Sequence, residues 1–538
     1  MAAVASDQMG RPHVRQWYRD ADGDGYGNPH AQLLSRVKPA RFVADNTDCD
    51  DARADVHPGA DEQPSSGLDD DCDGTLAVSS PHQLAVWEAV GDRGDARLGA
   101  TIAAGSDFDG DGNADLALGG ALVDVAVGLR HGLVRIHSGP LSETGSPVGG
   151  DSATATLYGS GDDQESRISG VGDLDGDGAD DLVIGHNSPG GNSGVIYLLR
   201  GPFAGEVDTT TDGQVFYGDG LSAELAYSAG PGDVDGDGAP DVVIGSAQYG
   251  GDQPGGGIAY LLRGPAEQTS LDDADMKLVA EAEQERIGSA VGALGDITGD
   301  GLQDFSVSNG SADSTVVDGS AVYLVTEYLA GAAHPREVGV TVHTGWGGLP
   351  RGFTSKVGDI NDDGYDDVAV APGNYHGSQA LSVLEGPFGE EDELTLESDS
   401  TIVFGSSAGG PDRGLAFATA LGDWNGDGQG VLAIADPAFA PDWAQARHDC
   451  NNSVCDQGAI YLMAEPIEPG SYDLATTADR IEGTYNSGFL GGGMLPAAPG
   501  GYDLSGDGLP DFAFAAYYAD GVTGDRGGHV YVLFGGGD

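Results

Sequence analysis

The chain has 538 residues, and 87 Asp plus Glu against 23 Lys plus Arg give a formal charge of −64. A surface this acidic repels phosphate backbones and anionic lipid heads, which excludes nucleic-acid binding and peripheral attachment to anionic membranes. The only lysines, Lys38, Lys277 and Lys356, follow no glycine-rich phosphate loop, so a Walker-type nucleotide site is excluded as well. Glycine is abundant, at 92 residues, beside a 39% hydrophobic fraction. That combination suits short strands joined by tight turns. No apolar run reaches the roughly 18–20 residues that span a bilayer, so no membrane insertion is expected. The opening stretch shows no signal-peptide pattern.

Residues 1–80 read as a first, small and irregular domain. Its segment WYRDADGDGYGNP alternates Asp20, Asp22 and Asp24, with Tyr26 placed to offer a backbone carbonyl. Acidic segments follow at residues 45–51, 56–62 and 68–74. The four cysteines fall into two local pairs, Cys49 with Cys72 and Cys450 with Cys455. They read as two disulfides formed in an oxidising compartment, with four free thiols as the alternative. Closing the loop between Cys49 and Cys72 stabilises by about 3 kcal/mol on the chain-entropy account. Neither pair has zinc-type spacing. With so little apolar content this domain depends on metal and disulfide for its order; an acidic disordered tail is the alternative.

From Asp107 onward one pattern recurs at a period near 63 residues: Asp-x-(Asp/Asn/Ser/Thr)-x-Asp-Gly-x-x-Asp. It starts at Asp107, Asp173, Asp233, Asp296, Asp359, Asp423 and Asp503. The last interval is lengthened by an insertion that holds Cys450 and Cys455. A short apolar run follows each loop, from Leu116-Ala117-Leu118 in the first to Phe512-Ala513-Phe514 in the seventh. These runs are too short for helices and are punctuated by Gly or Ala-Pro, so they read as buried strands. A second strand, a third ending in Gly and a weaker one before the loop complete four strands per repeat, as in a propeller blade. The seventh repeat ends after Val532-Leu533-Phe534 without an outer strand, and an orphan strand, Leu84-Ala85-Val86-Trp87, precedes the first. Pairing the two closes a ring and removes two edges. Residues 84–538 are therefore expected to form one all-β, seven-bladed β-propeller.

The loops are expected to bind calcium. In the first, Asp107, Asp109 and Asp111 converge from positions 1, 3 and 5, Gly112 permits the sharp turn, Asn113 lends its carbonyl and Asp115 completes the shell. An all-oxygen, carboxylate-rich site suits a hard and flexible cation, Ca2+ above Mg2+. Four carboxylates about 4 Å apart repel by roughly 1–4 kcal/mol per pair, so the turn is costly without a cation. The second and third loops carry the same full sets, Asp173, Asp175, Asp177, Ala179 and Asp181, then Asp233, Asp235, Asp237, Ala239 and Asp241. The fourth has Asp296, Thr298, Asp300, Leu302 and Asp304; the fifth has Asp359, Asn361, Asp363, Tyr365 and Asp367. The seventh has Asp503, Ser505, Asp507, Leu509 and Asp511. The sixth has Asp423, Asn425, Asp427 and Gln429 but Val431 at position 9, which makes it the weakest. Together with the N-terminal site the chain is expected to hold about seven to nine ions. Metal-free Asp-Gly turns are the alternative.

These repeats resemble FG-GAP repeats, as in the integrin α-subunit propeller and related bacterial proteins. The namesake dipeptides survive at Leu98-Gly99, Ile287-Gly288 and Leu490-Gly491 before the loop, and as Ala371-Pro372 and Asp436-Pro437 after it. The N-terminal segments are similar to the MopE-like metal-binding motif of secreted bacterial proteins and to thrombospondin calcium repeats. The motif's usual next cysteine is replaced here by Pro64-Ser65-Ser66, which leaves Cys49 with Cys72 as its nearby partner.

Signals for catalysis are negative. The twelve histidines form no HExxH or HxH arrangement, and Gly405–Gly409 matches a hydrolase elbow only on paper, since it follows a propeller strand. A carboxylate bound to calcium stays ionised and cannot serve as a general acid. Arg93-Gly94-Asp95 spells an integrin-recognition tripeptide in a loop opposite the metal face. The expected function is a non-enzymatic, monomeric scaffold, secreted or at the cell surface. Calcium would stiffen one face, and loops on the other would contact a protein or cell-surface partner in an adhesion-like role. A carbohydrate-binding propeller, with Trp346 and Trp443 stacking on a glycan, and a hydrolase with a central-channel site are the alternatives.

Overall fold

The computed structural model describes residues 15–49, 51, 53–60, 72, 78–79, 86–91, 97–126, 129–143, 147–149, 152–159, 166–186, 194–217, 225–247, 255–264, 270–310, 321–344, 353–361, 363–371, 380–389, 393–406, 415–424, 429–437, 439, 458–483, 490, 502–519 and 527–535. Asn425, Asp427, Cys450, Cys455, Trp346, Trp443 and Arg93-Gly94-Asp95 lie outside these residues.

Six of the Asp-Gly loops join two antiparallel strands whose hydrophobic content dictates burial, and the seventh leads into Phe512–Ala516, the first strand of a three-stranded sheet. The second sheet is representative: Ser166–Gly172, Asp181–His186, Val195–Leu199 and Gln214–Tyr217 pair in that order. Strands Asp181–His186 and Val195–Leu199 are buried at every position, so both faces of the sheet pack against neighbours. The first loop is followed by Asp115–Ala126, the third by Asp241–Ser246, the fourth by Asp304–Asn309 and the fifth by Asp367–Ala371. Val431–Asp436 and Phe512–Ala516 hold the same place in the last two repeats. The apolar runs after the loops are thus buried strands, as their length and punctuation imply.

Seven such sheets follow one another, and a separate apolar layer fills each junction. Phe108, Val134 and Ile136 of the first repeat meet Ile168, Ile184 and Tyr197 of the second. The same holds between the second and third, third and fourth, fourth and fifth, fifth and sixth, and sixth and seventh repeats. The last layer joins the ends of the chain: Ala515, Val530 and Val532 pack with Trp87, Ile102, Leu116 and Leu118. This is the arrangement of a β-propeller.

Closure uses the N-terminal strand. Trp87–Val90 pairs antiparallel with His529–Leu533, Trp87 opposite Val532 and Val90 opposite His529. Leu84 and Ala85 of the expected strand lie outside the described residues; in the described part Trp87, Ala89 and Val90 are buried in the core. Val78–Ser79 already pairs with Arg480–Ile481 of the sixth sheet, ahead of that strand.

The four-strand expectation is exceeded in five sheets. A short segment of the following repeat adds a parallel edge strand: Gly205–Asp208 beside Ala155–Tyr158, Gly331–Ala333 beside Met276–Val279, and Glu393–Thr395 beside Gly339–His343. Gly470–Asp473 does so beside Ile402–Gly405, and Val78–Ser79 takes this place on the sixth sheet. Such strands are two to four residues long with at most one large apolar side chain each, so they leave no hydrophobic signature. The N-terminal segment forms its own three-stranded sheet from Arg15–Arg19, Asn28–Ser35 and Phe42–Val43.

Trp87 is 4% exposed in the layer that closes the ring, whereas Tyr217 is 72% exposed on an outer strand. Trp87→Ala should cost about 3–5 kcal/mol, the range for emptying a buried aromatic site, and Tyr217→Ala should stay within about 0.5 kcal/mol of the parent. Denaturant titration of both variants checks the pair.

Candidate metal centres

Six of the loops lie where the first strand of a sheet turns into the second, the seventh precedes the first strand of its three-stranded sheet, and all but the sixth follow one hydrogen-bond plan. The position-1 carboxylate turns inward and is solvated by the loop's own backbone. Asp173 accepts from the amides of Gly176, Asp177 and Gly178 at 2.7, 3.0 and 2.9 Å. Asp233, Asp296 and Asp503 repeat this triple set, and Asp107 and Asp359 accept from the last two of the three amides. The position-5 carboxylate accepts from the position-7 amide, as Asp111 does from Asn113, Asp177 from Ala179 and Asp237 from Ala239. Asp300, Asp363 and Asp507 bond Leu302, Tyr365 and Leu509 in the same way. Position 6 requires a left-handed backbone: Gly112 sits at φ +91° and Gly178 at +97°. Only glycine adopts that conformation without strain.

Position 9 starts the buried strand. Asp115, Asp181, Asp241 and Asp367 are 0% exposed, and Asp304 and Asp511 are 2% exposed. One oxygen of Asp115 accepts from Phe108 N at 2.8 Å and the other from Gly139 N at 2.8 Å. Asp181, Asp241 and Asp367 likewise tie the loop to Gly201, Gly264 and Gly386. Burial, opposed by these amides, pushes Asp115, Asp181 and Asp511 up to about 6 and Asp241, Asp304 and Asp367 up to about 7. Neighbouring loop carboxylates add to the rise. Six of the seven repeats thus keep a buried ionisable group whose charged form a nearby cation would favour.

Carboxylate oxygens lie within 4.8 Å of one another for Asp107, Asp109 and Asp115, for Asp173, Asp175 and Asp177, and for Asp233, Asp235 and Asp241. The fourth, fifth and seventh loops share the backbone plan, but Thr298, Asn361 and Ser505 stand at position 3. Those side chains stay inside their loops, Thr298 and Ser505 bonding the position-1 Asp and Asn361 bonding Asp363. In the sixth, Asp423 Oδ1 is buried without a hydrogen-bond partner, and Val431 continues the strand where the others have Asp.

The loops are also built into the repeat junctions. Asp180 N donates to Asp107 O at 2.7 Å, and Asp107 N donates back to the Asp180 carboxylate at 3.0 Å. Phe203 bonds Phe108 O across the first junction, Ile467 bonds Ile360 O across the fifth, and Leu141 bonds Leu504 O across the closing one. Whatever holds a loop in shape therefore also holds two sheets together.

In the N-terminal segment Asp20, Asp22 and Asp24 converge within 4.8 Å, and Asp22 also converges with Asp48 and Asp51. Asp20 Oδ1, Asp22 Oδ2 and Asp24 Oδ2 are buried with no hydrogen-bond partner among the described residues, so the donor set is all-oxygen and left open there. That fits a hard divalent cation. Asp51, 8% exposed, anchors the loop by accepting from Ala21 N at 2.6 Å. Asp48 is 1% exposed beside Cys49, whose disulfide to Cys72 has an S–S length of 2.04 Å. Tyr26 stacks on His57 with ring centroids 5.2 Å apart. Asp48 and Asp51 were not singled out as ligands from sequence, since nothing local shows that a segment some 25 residues on folds back over the first loop.

Residues 48–77 match the family of MopE-type, copper-binding metal-binding motifs. The chain is similar to integrin α subunits: 27% identical over 256 residues to integrin alpha-PS2 of Drosophila melanogaster, and 25% over 263 residues to integrin alpha-5 of Xenopus laevis. Each alignment covers 43% of this chain but only 17% and 23% of those proteins, so the chain matches less than a quarter of their length. A solved structure described as the Dos1 propeller aligns at a TM-score of 0.33 and 10% identity, over 73% of this chain and 76% of that one.

The pH response should differ with metal. The six position-9 carboxylates have folded values of about 6–7 against 3.8 when unfolded, so between these pH values the folded state binds more protons. Their contribution in the calcium-free protein therefore rises as pH falls from 7 towards 4. Burial holds His137 and His186 down near 4, and these two work in the opposite direction as pH falls below 6.5. Six groups outnumber two. Calcium-free protein is expected to melt at a higher temperature at pH 5 than at pH 7, and calcium-loaded protein at a lower one, because protons compete with the ion. Thermal melts at both pH values, with and without millimolar calcium, check the opposite signs.

Proposed function

We propose that the protein is a calcium-stiffened β-propeller scaffold, secreted or displayed at a cell surface, that engages a protein or cell-surface partner. The observation that carries this reading is the shared loop plan: carboxylates gathered by the backbone and built into the junctions between sheets. When bound, calcium supplies positive charge and a flexible all-oxygen coordination shell. In the first loop Asp107, Asp109, Asp111 and Asp115 would hold it, and the second and third have equivalent sets. Fewer carboxylates remain in the fourth, fifth and seventh, and fewest in the sixth. Asp20, Asp22 and Asp24, with Asp48 and Asp51, would hold a further ion.

The disulfide between Cys49 and Cys72 supports an oxidising compartment. Likeness to integrin α subunits supports an adhesion-like, non-enzymatic role, with contact made by loops on the face away from the metal loops. The propeller is taken to start near residue 84 and the acidic domain to precede it.

A ligand at about 100 times its Kd adds about 2.7 kcal/mol per site, so removing calcium should lower the melting midpoint by several degrees or more. Calorimetry with and without a chelator checks this, and an unchanged midpoint sinks the metal assignment. Asp175→Asn should weaken calcium-dependent stabilisation more than Asn425→Ser, because the second loop is the fuller set. Surface-plasmon measurements against extracellular-matrix proteins and a glycan panel test the partner class. Calcium-dependent binding to protein is expected; binding to glycans alone would favour a lectin.

A further inference from the structure

The first three loops have the same four carboxylates, yet one side chain beside them changes in charge from repeat to repeat. The residue before the glycine that bonds the position-9 Asp is Ser138 in the first repeat, Arg200 in the second and Arg263 in the third. That backbone bond fixes the residue beside the loop. From there Arg263 Nε pairs with Asp235, and Arg263 Nη2 donates to Asp237 Oδ2 at 2.8 Å. Nε also lies 3.6 Å from Asp275. Asp235 and Asp237 are positions 3 and 5 of the third loop, and the Asp235 side chain is only 3% exposed. Arg200 makes a single, longer pair, 3.2 Å to Asp175.

We propose that Arg263, and more weakly Arg200, is a resident counter-ion that competes with the divalent cation for the loop carboxylates and grades affinity around the ring: first loop tightest, then second, then third. The proposal rests on the metal-binding reading above and deepens it. A guanidinium is charged at every accessible pH and takes carboxylates in a fixed fork. In the third loop it neutralises part of the repulsion that a metal ion would otherwise relieve. The loop is therefore less dependent on the ion for its shape, and an arriving ion must displace or face a fixed positive charge. Among the described residues no guanidinium pairs with the first loop, which is therefore expected to bear more of its charge until metal arrives.

Hydrogen exchange of the full chain, followed at increasing free calcium on peptides spanning residues 107–115, 173–181 and 233–241, reads each loop separately. In the parent, the calcium midpoint should rise from the first to the third, and in calcium-free buffer 233–241 should be the best protected. Arg263→Gln should move the 233–241 midpoint to about tenfold lower calcium, leave 107–115 unchanged, and lower the calcium-free protection of 233–241. Arg263→Lys, which keeps the charge but not the fork, should leave the midpoint closer to the parental value than Arg263→Gln does, a result that loss of packing alone would not give. Ser138→Arg is the converse: it should raise the 107–115 midpoint, and it remains informative should Arg263→Gln fold poorly. An unmoved 233–241 midpoint in Arg263→Gln, with the parent responding to calcium, overturns this proposal alone. Absence of any calcium response in all three parental peptides overturns the metal-binding reading and this proposal together.

Discussion

Like-charge repulsion inside short turns is the constraint on which this architecture depends. Each full loop gathers four carboxylates into a nine-residue arc, and at about 4 Å a pair of such charges costs roughly 1–4 kcal/mol depending on local dielectric. Backbone amides absorb some of this: three point at the position-1 oxygens of Asp173, and two at Asp181. They are dipoles and leave the net charge untouched. A cation is the remaining remedy, and the protein has two kinds available, an external ion and its own arginines. Because Asp107, Phe108, Ile360 and Leu504 also accept hydrogen bonds from the adjoining repeat, neutralising a loop stabilises a junction as well as a turn.

The repeats share a plan and differ in charge. Three loops have four acidic ligand positions, three have three, and the sixth has two. A ring assembled from unequal junctions would not respond to a divalent ion as one unit. Junctions with more charge and no arginine lean most on the ion, while the sixth, with Val431 in the buried strand, leans on its apolar layer. That layer includes Leu421, Trp424 and Leu462 and packs directly on the seventh sheet.

Much of this was legible in the sequence because the signals are local. Asp-Gly spacing specifies the turn, and runs such as Leu182-Val183-Ile184 specify a strand buried on both faces. The closing strand was legible too: the apolar run ending in Trp87 announced it, and Trp87, Ala89 and Val90 are buried in its described part. What was not legible is what joins distant segments. The parallel edge strands, such as Gly205–Asp208, are polar and brief, and form only because the preceding sheet presents a free edge. Asp48 and Asp51 approach Asp22 through a fold-back that no periodicity announces. Arg200 and Arg263 look like ordinary strand-end residues until the sheet brings them over the loop about 25 residues earlier.

Those added strands also answer a general hazard of sheet proteins. A propeller exposes one outer edge per sheet, and unpaired edges recruit other chains. Here Gly205–Asp208, Gly331–Ala333, Glu393–Thr395, Gly470–Asp473 and Val78–Ser79 cover five of these edges in parallel register. Trp87–Val90 supplies the outer strand that the C-terminal repeat lacks. The N-terminal region therefore serves the propeller twice, on the sixth sheet and on the seventh. This gives the acidic segment before it a structural reason to be ordered: a chain entering two sheets in succession holds them best when its own upstream end is anchored. The Cys49–Cys72 bridge and the carboxylate cluster around Asp22 are the means available in a segment with so few apolar side chains.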